Sequence, residues 1–261
     1  MESSNSDVRF CRFVVDGRMY SGEVHGESVS IVEGDPINGI TARLRISYPC
    51  SRVKFLPPIM PKKIWCVGRN YADHAKEFTN ELPKEPLIFL KSTSAVTGDG
   101  DFIRIPPEFA RPVHYEGELA VIIGEGGKNI PEAEAYDHVL GYTLMNDVSA
   151  RGVQSTDCQW TRSKSFDTFA PMGPCILLRS KMPEGTHIVT HLNGRVVQNG
   201  DISQMIFSIP RIISFISTFA TLERGDMIST GTSKGVGELV PGDRIEIGND
   251  MIGTLRNICV Q

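Results

Sequence analysis

The sequence predicts a mainly β protein with some α/β elements. Three features lead to that class: short apolar runs bounded by turn residues, dipeptides suited to tight hairpins, and sparse helical periodicity. The strict βαβ alternation of a Rossmann or TIM fold is missing. The first strands begin near Arg9 and flank Asp16-Gly17, a pair that accepts the positive φ of a two-residue hairpin turn. They form a small β-rich N-terminal unit over residues 1–55. Pro57, Pro58 and Pro61 then punctuate the chain before Ile64-Trp65-Cys66-Val67-Gly68, a run short enough to be a buried strand. A larger unit follows over residues 56–261.

Strands in the larger unit are expected at residues 87–90, 119–123, 140–145, 175–178 and 195–198, the last after the turn pair Asn193-Gly194. Residues 244–247 and 251–255 flank Gly248-Asn249-Asp250 and read as another hairpin. Helical pattern is confined to a short turn at 71–78, a stretch after Asp147, and residues 208–219. In that last segment Ile209, Ile212, Ile213, Ile216 and Phe219 recur at helical spacing.

The composition of the 261 residues, 40% hydrophobic and 22% charged, is that of a chain with a sizeable core and not of a disordered one. Lys and Arg number 27 against 31 Asp and Glu, for a formal charge of −4 with the signs mixed, which argues against a nucleic-acid partner. No apolar run reaches the roughly 18 residues of a membrane span, and the N-terminus lacks a basic start followed by an apolar stretch. A cytoplasmic protein without a membrane partner is the expectation. Six scattered cysteines with no CxxC pair read as reduced, mostly buried thiols.

Four segments carry candidate chemistry. In His114-Tyr115-Glu116-Gly117-Glu118, strand geometry places Glu116 and Glu118 on one face. Like charges so close need solvent, a cation or a metal ion; a solvated edge strand is the plainer alternative. Asp147 falls where an apolar strand gives way to a polar segment, as a helix N-cap or as a third carboxylate. Three carboxylates without His or Cys favour a hard cation such as Mg²⁺. In Gly68-Arg69-Asn70-Tyr71-Ala72-Asp73-His74-Ala75-Lys76-Glu77, a helix capped by Asn70 puts His74 and Glu77 three apart on one face, either as a water-activating pair or as part of an exposed polar helix. Lys164 stands among small polar and aromatic residues, either as a compact charge able to stabilise an enolate beside a metal or as a solvated lysine on a loop. Residues 229–237 follow an apolar strand and offer N–H groups and hydroxyls to an anion.

In order, Gly68-Arg69-Asn70-Tyr71 with His74 and Glu77, His114-Tyr115-Glu116-Gly117-Glu118, Asn146-Asp147-Val148-Ser149-Ala150-Arg151, Lys164-Ser165-Phe166-Asp167 and Thr230-Gly231-Thr232 closely resemble the fumarylacetoacetate hydrolase superfamily. The resemblance spans roughly residues 60 to 260. It implies a mixed β-sandwich roll, a homodimer, and Mg²⁺ or Mn²⁺ as cofactor. It further implies Glu116, Glu118 and Asp147 as metal ligands, His74 and Glu77 as a water-activating dyad on a lid, and Lys164 facing a developing enolate. Arg69, Asn70 and Thr232 are implied as contacts to the substrate carboxylate or the site entrance. The activity implied is that of a metal-dependent enzyme of small 2-oxo acids. It would hydrolyse C–C bonds in the manner of an acylpyruvase or decarboxylate oxaloacetate. The alternatives are 2-hydroxy-dienoate isomerisation, oxaloacetate keto–enol tautomerisation, or metal-dependent ligand binding without turnover.

Overall fold

The computed structural model describes residues 8–72 and 82–261. The N-terminal strands β1 (Val8–Val15), β2 (Arg18–His25), β3 (Ser28–Asp35) and β4 (Gly39–Pro49) form an antiparallel meander. Its first turn is Asp16-Gly17, with φ of 49° and 74° at the two residues, the geometry that this dipeptide tolerates. Phe13, Val15, Val29 and Ile31 form the meander's own core together with Cys11 and Cys175. After β5 (Lys54–Leu56), the larger unit contributes β6 (Ile64–Gly68), β7 (Leu87–Lys91), β8 (Val96–Thr97), β9 (Phe102–Arg104), β10 (Val113–Tyr115) and β11 (Gly117–Ile123). Then come β12 (Val139–Asn146), β13 (Ser149–Ala150), β14 (Ala170–Leu178), β15 (His187–Leu192), β16 (Arg195–Asp201), β17 (Met227–Thr232), β18 (Gly237–Glu238), β19 (Arg244–Asn249) and β20 (Gly253–Val260).

A 12-stranded sheet runs in the order β4-β3-β2-β1-β14-β12-β11-β17-β6-β7, with β5 on β1 and β8 on β14. The meander is therefore continuous with the larger unit through the β1–β14 pairing of Val8 with Leu178. A five-stranded sheet, β16-β15-β19-β20-β9, and a three-stranded one, β13-β10-β18, complete the roll. At the centre, alternate residues of β11 enter different cores: Ala120 and Ile122 join one, Leu119, Val121 and Ile123 the other. With apolar layers on both faces, β11 reads as a continuous apolar run in place of an alternating one. The helix Ile209–Phe219 starts at Ser208, whose hydroxyl accepts from the Arg211 N–H, and buries Ile209, Ile212, Ile213 and Ile216 in the second core. Each such side chain contributes about 1.5–3 kcal/mol.

Three expectations are revised. The strand expected to run unbroken through residues 114–123 stops at Glu116, between β10 in the three-stranded sheet and β11 in the large one. Side-chain amides replace ladder partners there: the Glu116 N–H donates to Asn146 Oδ1 at 2.9 Å and the Gly117 N–H to Gln198 Oε1 at 3.0 Å. Residues 229–232, expected to follow a strand, are the end of β17 itself. The strand expected at 175–178 begins at Ala170 despite Pro171 and Pro174, with an irregular β12–β14 register accommodating it. Most of the turn expected at 71–78 lies outside the described residues. Among the described residues no helix is long and apolar enough to cross a membrane. All six cysteines are free; Cys11, Cys66, Cys175 and Cys259 are buried, whereas Cys158 is exposed.

Candidate active site

Strand register assembles the acidic cluster. On the β11–β12 ladder Gly117 faces Asn146, and one step further the Asp147 N–H donates to the Glu116 carbonyl at 2.9 Å. Glu116 and Asp147 are thus cross-strand neighbours although 30 residues lie between them in the chain. Glu118 faces Thr232 of β17, beside a bulge. One oxygen from each of Glu116, Glu118 and Asp147 lies within 4.8 Å of the others, and all three residues are buried.

Each carboxylate is held from the side. Glu118 Oε2 accepts from Ser229 Oγ at 2.5 Å and from the Gly231 N–H at 2.9 Å. The anion served by the 229–232 segment is therefore an internal carboxylate. Gly231 has a φ of 98°, and a Cβ there would stand 2.8 Å from the Cβ of Asn70, so this close approach requires glycine. The Arg151 guanidinium, at the start of the helix Arg151–Gln154, donates to Glu116 Oε1. Lys164, closing the helix Thr161–Lys164, donates to Glu116 Oε2 at 2.6 Å and to Asp147 Oδ2 at 2.7 Å. Lys91, the last residue of β7, donates to Asp147 Oδ1 at 2.6 Å and to the Val148 carbonyl at 3.0 Å.

Burial pushes the Glu118 carboxyl well above the usual carboxylate range, and the charges of Asp147 and Glu116 add to the effect. Burial also opposes the charge on Lys164, but Asp147 and Glu116 outweigh it and hold its pKa above the ordinary lysine value. At Lys91 burial wins over Asp147 and the pKa is lowered. The His114 imidazole is brought down to about 4 by burial and then by the Arg151 charge.

The cluster forms one wall of a cavity of about 380 Å³. Arg69 and Trp160 line it too, with the guanidinium 5.9 Å from the indole centroid, as do Phe89, His114, Lys164 and Thr232. Thr232 Oγ1 donates to the Gly117 carbonyl and accepts from Gln198 Nε2. Asn70 is fully buried and outside the cavity lining. Its amide nitrogen donates to the Thr230 and Phe207 carbonyls, and its oxygen accepts from the Phe207 N–H. His74 and Glu77 lie outside the described residues. The sequence reading gave no role to Lys91, Arg151 or His114. A lysine ending the apolar run Leu87-Ile88-Phe89-Leu90 was the available signal for Lys91.

The donor set fits a hard divalent cation. All its atoms are carboxylate oxygens, and Glu118 takes hydrogen bonds from the neutral Ser229 and Gly231 while its carboxyl is pushed toward protonation. Lys91, Arg151 and Lys164 already offset part of the repulsion at Glu116 and Asp147, and a double positive charge would offset it at Glu118 as well.

A β roll whose central strands end in such a cluster defines a class. Residues 63–260 match the model of the fumarylacetoacetate (FAA) hydrolase C-terminal family, and residues 8–58 that of the Rv2993c-like N-terminal family. The chain belongs to the fumarylacetoacetate hydrolase family. Among its relatives, the oxaloacetate tautomerase YisK of Bacillus subtilis is 45% identical over 80% of this chain and 74% of its own. The oxaloacetate tautomerase fahd2, mitochondrial, of Xenopus laevis is 42% identical over 79% of this chain and 68% of its own. Among solved structures, a 2-hydroxyhepta-2,4-diene-1,7-dioate isomerase from Mycobacterium marinum superposes with a TM-score of 0.87 at 38% identity, covering 97% of this chain and 98% of that one.

Proposed function

We propose that this chain is an enzyme that moves a proton next to the keto group of a small 2-oxo dicarboxylic acid, by keto–enol exchange of oxaloacetate or isomerisation of a 2-hydroxy-dienoate. The observation that carries this reading is the buried Lys164 ammonium, 2.6 and 2.7 Å from Glu116 and Asp147 at the wall of a cavity large enough for such an acid. The names of the tautomerase relatives and of the isomerase neighbour support the same class. Glu116, Glu118 and Asp147 would hold Mg²⁺ or Mn²⁺, which when bound supplies a Lewis acid that polarises the keto group.

The chain's own residues then have separable tasks. Lys164 supplies an N–H donor and a positive charge where the enolate oxygen develops. Arg69, at the rim over Trp160, attracts a carboxylate of the substrate, and Thr232 borders the same space. His74 with Glu77 is assigned the movement of the proton. Hydrolysis of an acylpyruvate or decarboxylation of oxaloacetate would use the same electron sink with a different bond broken. A homodimer in the cytoplasm belongs to this reading as well, and light scattering tests the dimer.

The discriminating experiment assays oxaloacetate, acylpyruvates and 2-hydroxy-dienoates, each with and without Mg²⁺. Faster enol–keto exchange or isomerisation that depends on Mg²⁺ is the expected result. Production of pyruvate from an acylpyruvate or from oxaloacetate as the dominant activity would replace this reading with the hydrolase or lyase one. Ligand-induced stabilisation with no product from any of them would make the chain a binding module.

A further inference from the structure

We propose that Lys91 is a positioning residue that restricts Asp147 to one metal-facing oxygen, so that the site selects a small octahedral cation over one the size of calcium. The inference rests on the metal reading above and concerns which ion that site accepts.

Lys91 is a fixed donor. Its side chain is fully buried, and the Val148 carbonyl holds its ammonium at 3.0 Å while it donates to Asp147 Oδ1 at 2.6 Å. Its backbone is pinned where β7 pairs with β6, Lys91 opposite Ile64. Asp147 Oδ2 is left to face Glu116 and Lys164. The same division recurs at the other two acids: Glu118 Oε2 is taken by Ser229 and Gly231, and Glu116 Oε1 by Arg151. In each case one oxygen is engaged by a donor from a separate part of the chain, and the companion oxygens of Glu116 and Asp147 meet at the Lys164 ammonium.

This matters because the two common hard cations differ in what they ask of a carboxylate. Mg²⁺ keeps to six ligands in near-ideal octahedral geometry, whereas Ca²⁺ takes six to eight and readily accepts both oxygens of one carboxylate. Three carboxylates limited to one oxygen each would supply three of the six ligands that Mg²⁺ takes. Freeing Asp147 Oδ1 would allow two-oxygen ligation and favour the larger ion.

The test is calorimetric titration of the wild type and of Lys91→Met with Mg²⁺ and Ca²⁺, with Lys91→Gln as the variant that retains a donor. We expect the wild type to prefer Mg²⁺, and Lys91→Met to lose about tenfold of that preference, within the range that outer partners of metal ligands command. Lys91→Gln should fall between them. An unchanged ratio in a folded Lys91→Met overturns the proposal and leaves the metal site standing; a wild type that binds neither ion overturns the metal reading itself. Should Lys91→Met not fold, a crystal structure of the wild type loaded with Mn²⁺ decides. Coordination through Asp147 Oδ2 with Lys91 still on Oδ1 supports the proposal, and two-oxygen ligation by Asp147 overturns it.

Discussion

Glu23 and Glu118 are both buried carboxylates in a β-sheet, 3% and 2% exposed, and they are stabilised in different ways. Glu23, in the N-terminal meander, meets the guanidinium of Arg43 through contacts of 2.9 to 3.1 Å. The arginine reaches in from solvent, its side chain 63% exposed, so the charge is neutralised one to one. Glu118 has neutral donors on one oxygen and two more carboxylates nearby, and burial with that repulsion raises its pKa. A paired buried acid is accounted for by the stability of the fold. An acid crowded by like charges, with only neutral donors of its own, suits a metal ion, and that contrast separates a candidate active site from a structural ion pair within one sheet.

The largest expected effect comes from removing a ligand. Glu116→Ala should bring turnover to background and abolish the calorimetric signal of Mn²⁺, while circular dichroism shows a folded chain. Retention of metal-dependent turnover would mean that the cluster is another Glu23. Lys164→Met should lower kcat by about 10²–10³ while Mn²⁺ still binds, because it removes a donor that acts on developing charge and no ligand. Loss of the ion in that variant would instead assign Lys164 to building the site.

In the meander, Arg43→Ala leaves Glu23 buried without its partner and should cost about 1–2 kcal/mol, reduced from the fully buried case by the exposure of the arginine. Urea denaturation measures the loss, and kcat should not change. The smallest effect is in pH. The raised pKa of Glu118 means that the metal-stripped folded chain binds an extra proton relative to the unfolded one. That contribution is fully present below the ordinary carboxylate value of 4.5 and disappears as the pH rises through the raised folded value. Saturating Mn²⁺ should stabilise more as the pH rises, because its ligands must lose their protons. Stability curves of the wild type and Glu118→Gln, with and without Mn²⁺, isolate the term; identical pH dependence in the two would show that Glu118 does not titrate differently on folding.

Much of this was legible in the sequence, for identifiable reasons. Asp16-Gly17 and Asn193-Gly194 announced their hairpins because few dipeptides accept two positive φ values, 49° and 74° at the first and 52° and 79° at the second. The spacing of Ile209, Ile212, Ile213 and Ile216 revealed a helix with one buried face. The acidic residues could be picked out individually, but their meeting depends on the β11–β12 register, set across a connection too long to carry a turn rule. The break at Glu116 was hidden because side chains distant in sequence, Asn146 and Gln198, take its ladder bonds. Lys91 escaped notice for the same reason: a lysine closing an apolar strand gains significance only when Asp147 is placed beside it.

The most direct test is the rate of enol–keto conversion of oxaloacetate by the metal-stripped chain as Mg²⁺ is returned, with Glu116→Ala measured alongside. The account predicts a rate near background without the ion, a saturable rise as the ion binds, and a flat line for the variant. Full activity in the stripped protein, or the same rise in Glu116→Ala, would contradict it.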